Sequence, residues 1–131
     1  MATLPLISDE AASAEVLAVF ADIRATRGTD YINNFWRALA NDPALLRATW
    51  DRLKQVMGPG ALDPLVKEML YIAVSTANGC DYCIHSHTAA AKAKGMSAAQ
   101  HGELLAVIGM AMQTNGLVSA MQVEVDDAFR V

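Results

Sequence analysis

The sequence predicts an all-α chain, a compact bundle of six to seven antiparallel helices. Apolar residues recur at intervals of three and four along most of its length, and Gly, Pro and small polar residues interrupt them about every dozen to twenty residues. No stretch alternates apolar and polar residues as a half-buried strand would.

Each element follows from that pattern. Ser8 and Asp9 offer side-chain caps for a first helix whose apolar stripe is Val16, Phe20 and Ile23 with Leu17 beside it, and Gly28 suits a left-handed close. Tyr31, Phe35 and Leu39 mark one face of a short second helix. Asp42-Pro43 places a capping carboxylate before a proline at the first helical position, and Leu46, Trp50, Leu53 and Met57 stripe the third helix up to Gly58-Pro59-Gly60. Asp63-Pro64 repeats this start for a fourth helix, apolar on almost all sides from Leu65 to Ala77 and so expected to be central. Asn78-Gly79 closes it. A fifth helix begins around Cys80 and runs to Gly95. Ser97 with Gln100 makes a capping box for a sixth, carrying Leu104, Leu105, Ile108, Ala111 and Met112. Asn115-Gly116 is expected to break that helix, leaving Leu117, Met121, Val125 and Phe129 to stripe a last one.

No internal repeat, low-complexity tract or linker divides residues 1–131, which are expected to form a single domain burying roughly two-thirds of its unfolded surface. With 53 % hydrophobic and only 18 % charged residues, the chain carries more apolar surface than it can hide alone, so a homo-oligomer is expected. The net charge of −4 and the lack of any Lys/Arg cluster argue against nucleic acid or an anionic membrane as partners. The N-terminus has no basic region followed by an apolar core, and no uninterrupted run reaches the roughly 18 apolar residues of a membrane span. A cytoplasmic location is expected, where two cysteines at CxxC spacing are reactive or metal-binding more often than a structural staple.

Those cysteines lie in Cys80-Asp81-Tyr82-Cys83-Ile84-His85-Ser86-His87, separated from Glu68 by eleven residues. At about 100° per residue, Cys80, Cys83 and His87 fall within roughly 60° of one another on a helix, while His85 points away. Both sulfurs stand in or beside the first turn, where unpaired N–H groups and the helix dipole favour thiolate, Cys80 the more so. His87 can take a thiol proton. Glu68 is the only acidic residue between Asp63 and Asp81, and a tight turn at Asn78-Gly79 would fold it back beside His87. A carboxylate in so apolar a helix requires a hydrogen-bonded or ionic partner.

The residues by themselves admit three readings: redox chemistry, zinc held by Cys80, Cys83, His87 and Glu68, or inert packing. Ligands on successive turns of one helix, with no loop to shape a tetrahedral cage, argue against zinc, so no metal and no cofactor are expected. His85 and His101 read as surface residues, and Met110, Met112 and Met121 as core or subunit-interface filler.

The pattern Glu68, Cys80-x-x-Cys83-x-x-x-His87 resembles the AhpD-like alkylhydroperoxidase and carboxymuconolactone decarboxylase superfamily, with the likeness centred on residues 60–115. That resemblance implies an all-helical fold assembled as trimers or as hexamers, and an enzyme reducing organic hydroperoxides or hydrogen peroxide. It assigns the peroxidatic role to Cys83 and the resolving role to Cys80, with Glu68 and His87 moving protons. The resulting disulfide would be reopened by an external dithiol, lipoyl or thioredoxin-like. Relatives can carry a histidine immediately before the second cysteine, where this chain has Tyr82. A muconolactone-type decarboxylase and a non-catalytic redox sensor or binding subunit are the alternatives.

Overall fold

Six α-helices and one 3-10 turn make up a computed structural model of the chain, which describes residues 1–130: α1 (Ala14–Arg27), α2 (Asn34–Leu39), α3 (Pro43–Met57), α4 (Pro64–Ala77), α5 (Asp81–Ala93) and α6 (Ala98–Met121). No strand occurs among the described residues, so the all-α class read from the sequence is observed. The helices group into two compact units, Met1–Gly58 and Pro59–Val131.

In the first unit, α1 starts at Ser13, whose hydroxyl accepts the Val16 N–H at 3.3 Å, and ends at Gly28 with φ 65° and ψ 35°. The expected start at Ser8 and Asp9 is thus too early. Asp9 is engaged elsewhere, accepting from Arg24 Nη2 at 2.7 Å and Arg37 Nη2 at 3.0 Å, and residues 9–11 form a turn. α1 buries Val16, Val19, Phe20 and Ile23, whereas Leu17, expected beside that stripe, is exposed.

The face assigned to α2 also needs correction. Tyr31 and Phe35 are exposed, and Ile32 and Trp36 are buried in their place. The spacing is the same but one residue on, because the larger indole of Trp36 takes the core position edge-on to Trp50, with ring centroids 5.4 Å apart and planes at 84°. α3 opens as expected, Asp42 accepting the Leu45 N–H at 3.0 Å with Pro43 following, and buries Leu46 and Trp50. Trp50 places its one polar atom by donating Nε1–H to Asp22 at 2.8 Å.

The second unit carries the CxxC pair. α4 begins at Asp63-Pro64 and packs along α5 and against α6, burying Ile72 in a core with Ala91, Met96 and Ile108. Its outward residues Val66, Leu70 and Val74 are exposed. α6 has the expected capping box, Ser97 Oγ accepting from Gln100 N–H and Gln100 Oε1 from Ser97 N–H.

Asn115-Gly116 does not break α6. The helix runs through to Met121, Thr114 Oγ1 donates back to the Met110 carbonyl at 3.0 Å, and Gln122 closes it at φ 50°. Two weak helix formers are outweighed by the strong formers on either side. Val125 and Phe129 therefore stripe no further helix, and Asp127–Phe129 form a single 3-10 turn. Joined in this way, α6 is by length and composition apolar enough to cross a membrane, with a mean hydropathy of 1.5 over 18 residues. The run is not an uninterrupted one, since Gln113, Thr114 and Asn115 lie within it without lowering its average far. Met110, Met112 and Met121 are exposed and are not core filler of this chain.

Candidate functional site

The link between α4 and α5 sets the position of the cysteines. Gly79 takes the left-handed conformation at φ 66°, its N–H bonds the Thr76 carbonyl at 3.2 Å, and the Cys80 N–H bonds the Ser75 carbonyl at 2.9 Å. These two bonds are the paired closure of a Schellman motif. Cys80 is therefore both the last residue of that turn and the N-cap of α5, where its sulfur accepts the Cys83 N–H at 3.3 Å. Cys80 and Cys83 are joined by a disulfide, and both are half-buried.

One turn beyond Cys83 on the same face stands His87, at the i, i+4 spacing that brings Cβ atoms to about 5–6 Å. Its Nδ1 lies 2.7 Å from Glu68 Oε2. The tight α4–α5 turn thus brings the Glu68 carboxylate to the depth of His87, as the sequence led us to expect. Glu68 is only 5 % exposed, one of two buried polar residues among those described. His85, by contrast, is exposed, and His101 is half-buried at the start of α6.

Two members of the cluster are not legible in the CxxC pattern. Lys94, at the C-cap of α5, donates from Nζ to Glu68 Oε1 at 2.8 Å. Tyr71, one turn after Glu68 on α4, stacks its ring on the imidazole with centroids 3.7 Å apart and planes at 17°. A signal for Lys94 does exist: it follows His87 by two turns on one face, and the lone carboxylate of an apolar helix needs a cation.

Burial pushes the Glu68 carboxyl upward, but the hydrogen bonds from His87 and Lys94, with the Lys94 charge, outweigh it and hold the group below its ordinary value of 4.5. Glu68 is then ionised at neutral pH and can only accept, so His87 Nδ1 carries the proton of their shared hydrogen bond. In a neutral imidazole, Nε2 is left as an acceptor. The cluster therefore combines a disulfide-bonded cysteine pair with an imidazole whose tautomer is fixed by a buried carboxylate.

The model of the carboxymuconolactone decarboxylase family matches residues 43–124. The chain belongs to that family. Within this carboxymuconolactone decarboxylase family it is AhpD-like. The crystal structure of the alkylhydroperoxidase AhpD core from Rhodospirillum rubrum is 65 % identical and superposes with a TM-score of 0.97, covering 100 % of this chain and 98 % of that one. The alkyl hydroperoxide reductase AhpD of Solibacter usitatus is 36 % identical over 72 residues, 55 % of this chain. The match spans 39 % of that relative's length. An uncharacterised protein of Cupriavidus necator is 30 % identical over 82 residues, covering 63 % of this chain and 73 % of its own.

Proposed function

We propose that the chain is a thiol-dependent peroxidase acting on organic hydroperoxides or hydrogen peroxide. The observation that carries this reading is the Cys80–Cys83 disulfide at the start of α5, one turn before an imidazole fixed by a buried carboxylate. In the reduced protein His87 Nε2 draws the proton from the thiol pair while Nδ1 stays bonded to Glu68. The Cys83 thiolate attacks one peroxide oxygen and the O–O bond breaks, leaving a sulfenic acid on Cys83 and an alkoxide or hydroxide that takes up a proton and departs as alcohol or water. The Cys80 sulfur then attacks Cys83, expels water and closes the disulfide. An external dithiol, lipoyl or thioredoxin-like, reduces it again through a mixed disulfide and leaves oxidised itself.

The exposed apolar residues of α4 and α6, among them Leu70, Val74, Leu105 and Leu117, support assembly into a homo-oligomer, a trimer or hexamer. The test of function is peroxide consumption with a dithiol reductant by the native chain, Cys83→Ser and Cys80→Ser. Native turnover is expected to be lost in Cys83→Ser, and Cys80→Ser should stop after one peroxide with a sulfenic acid that a dione probe captures. Equal rates in all three would remove peroxidase chemistry from this pair.

A further inference from the structure

We propose that Lys94 is a positioning residue of this site, the counter-charge that lets the buried Glu68–His87 pair hold a single proton, on His87 Nδ1. The imidazole thereby keeps a free Nε2. The inference rests on reading His87 as the proton carrier for the thiols.

Among the described residues, Oε1 of the Glu68 carboxylate meets the Lys94 ammonium at 2.8 Å and Oε2 meets the His87 Nδ1 at 2.7 Å. An ionised carboxylate taken out of water requires compensating charge. With Lys94 in place the two charges cancel, and the pair needs only the Nδ1 proton. Without it the carboxylate faces an imidazole alone, and the available compensation is a second proton taken up by the pair as a unit. That proton would abolish the acceptor that must serve as base.

The position of Lys94 is fixed by the backbone. Gly95 follows it at φ 94°, the Gly95 N–H bonds the Lys92 carbonyl at 3.0 Å and the Met96 N–H bonds the Ala91 carbonyl at 3.0 Å, with Met96 and Ala91 both buried. This closure holds Lys94 at the C-cap two turns past His87, so one helix delivers both donors to one carboxylate. The titratable groups that the imidazole meets are Glu68 and Tyr71 from α4 and, through Glu68, Lys94 from α5. α6, which packs on α4, carries only His101 and Glu103 as titratable groups, and neither makes a described hydrogen bond or ion pair with Glu68 or His87.

The experiment follows the His87 imidazole carbon signal by NMR against pH in the full chain, kept as the disulfide so that the cysteines do not titrate. Lys94→Met is expected to take up the second proton at a pH higher by about one unit or more, a tenfold or greater change in proton affinity, while Lys94→Arg titrates as the native chain does. In a Glu68→Gln background, with no charge left to compensate, Lys94→Met should have no effect. Should Lys94→Met fail to fold, Lys94→Gln keeps a donor without the charge and is expected to show the same shift. A folded Lys94→Met or Lys94→Gln protein that titrates like the native chain overturns the proposal, as does a shift that persists in Glu68→Gln. The readout needs no peroxide. If the signal shifts as expected and no form consumes peroxide, the charge role stands and the peroxidase reading falls.

Discussion

Glu68 and His87 meet at 2.7 Å between Oε2 and Nδ1, joining a buried position of α4 to the CxxC face of α5 across one tight turn. Replacing Glu68 by Gln keeps the size but removes the negative charge that fixes the imidazole tautomer, and it leaves Lys94 without its counter-charge. Peroxide consumption is expected to fall by about 10²–10⁴-fold, the usual contribution of a positioned proton carrier. Steady-state rates with saturating dithiol check this. A rate within about threefold of native, too small a change for such a role, would take Glu68 out of the proton path.

Stacking of Tyr71 on His87 gives a second handle on the imidazole. Tyr71→Phe keeps the ring and is expected to keep both stability and rate, while Tyr71→Leu loses about 0.5–1.5 kcal/mol of ring–ring interaction and lets the imidazole rotate. Urea unfolding together with peroxide kinetics separates the two effects. A Tyr71→Leu protein less stable than native with unchanged kinetics would confine the stack to folding.

Both tryptophans of the chain, Trp36 and Trp50, lie in the first unit and meet edge to face. Tryptophan fluorescence therefore reports unfolding of Met1–Gly58. Trp50→Phe removes the donor to Asp22 and part of a fully buried ring, so a loss of about 2–4 kcal/mol is expected from the fluorescence-detected urea midpoint. Indifference to this change would mean that the pair does not hold the unit together.

Acid should weaken the same unit. The hydrogen bond from Lys54, followed by that from Trp50, holds the Asp22 carboxyl below its ordinary value of 3.8, and the hydrogen bond from Arg24 does the same for Asp9. Because the folded values lie below the unfolded one, the unfolded chain binds protons more readily. The stabilisation is complete above about 3.8 and is lost as pH falls through the folded values. The urea midpoint by fluorescence should thus fall in that acid range, and Asp22→Asn should flatten the fall. An equally steep loss in Asp22→Asn would assign it to other groups.

The helices and the core of the site were legible because each has a local cause. Asp42-Pro43, Asp63-Pro64 and Ser97 with Gln100 satisfy helix N-termini wherever they occur, and the spacing of Cys80, Cys83 and His87 is a property of one helix. What escaped the sequence depends on partners distant along the chain. Asp9 caps nothing because Arg24 and Arg37 hold it, Trp36 displaces Phe35 from the core because Trp50 is there to receive it, and Lys94 joins the site only through a carboxylate 26 residues away.

Gly116 tests the continuity of α6 directly. It sits in the helix interior, its φ is not among the positive values found at Gly28, Gly79 and Gly95, and a Cβ added there meets nothing within 4 Å in the chain. Gly116→Ala should therefore stabilise by about 0.5–1 kcal/mol, through helix propensity and a less flexible unfolded chain. Gly79→Ala is the opposite case. Its φ of 66° opposes any side chain, so a loss of about 1–2 kcal/mol is expected, and with it a displaced Cys80. Thermal unfolding of the two variants beside the native chain decides the matter. Destabilisation by Gly116→Ala would mean that the helix ends at Asn115-Gly116 after all, and stabilisation by Gly79→Ala would remove the left-handed turn on which the position of Cys80 rests.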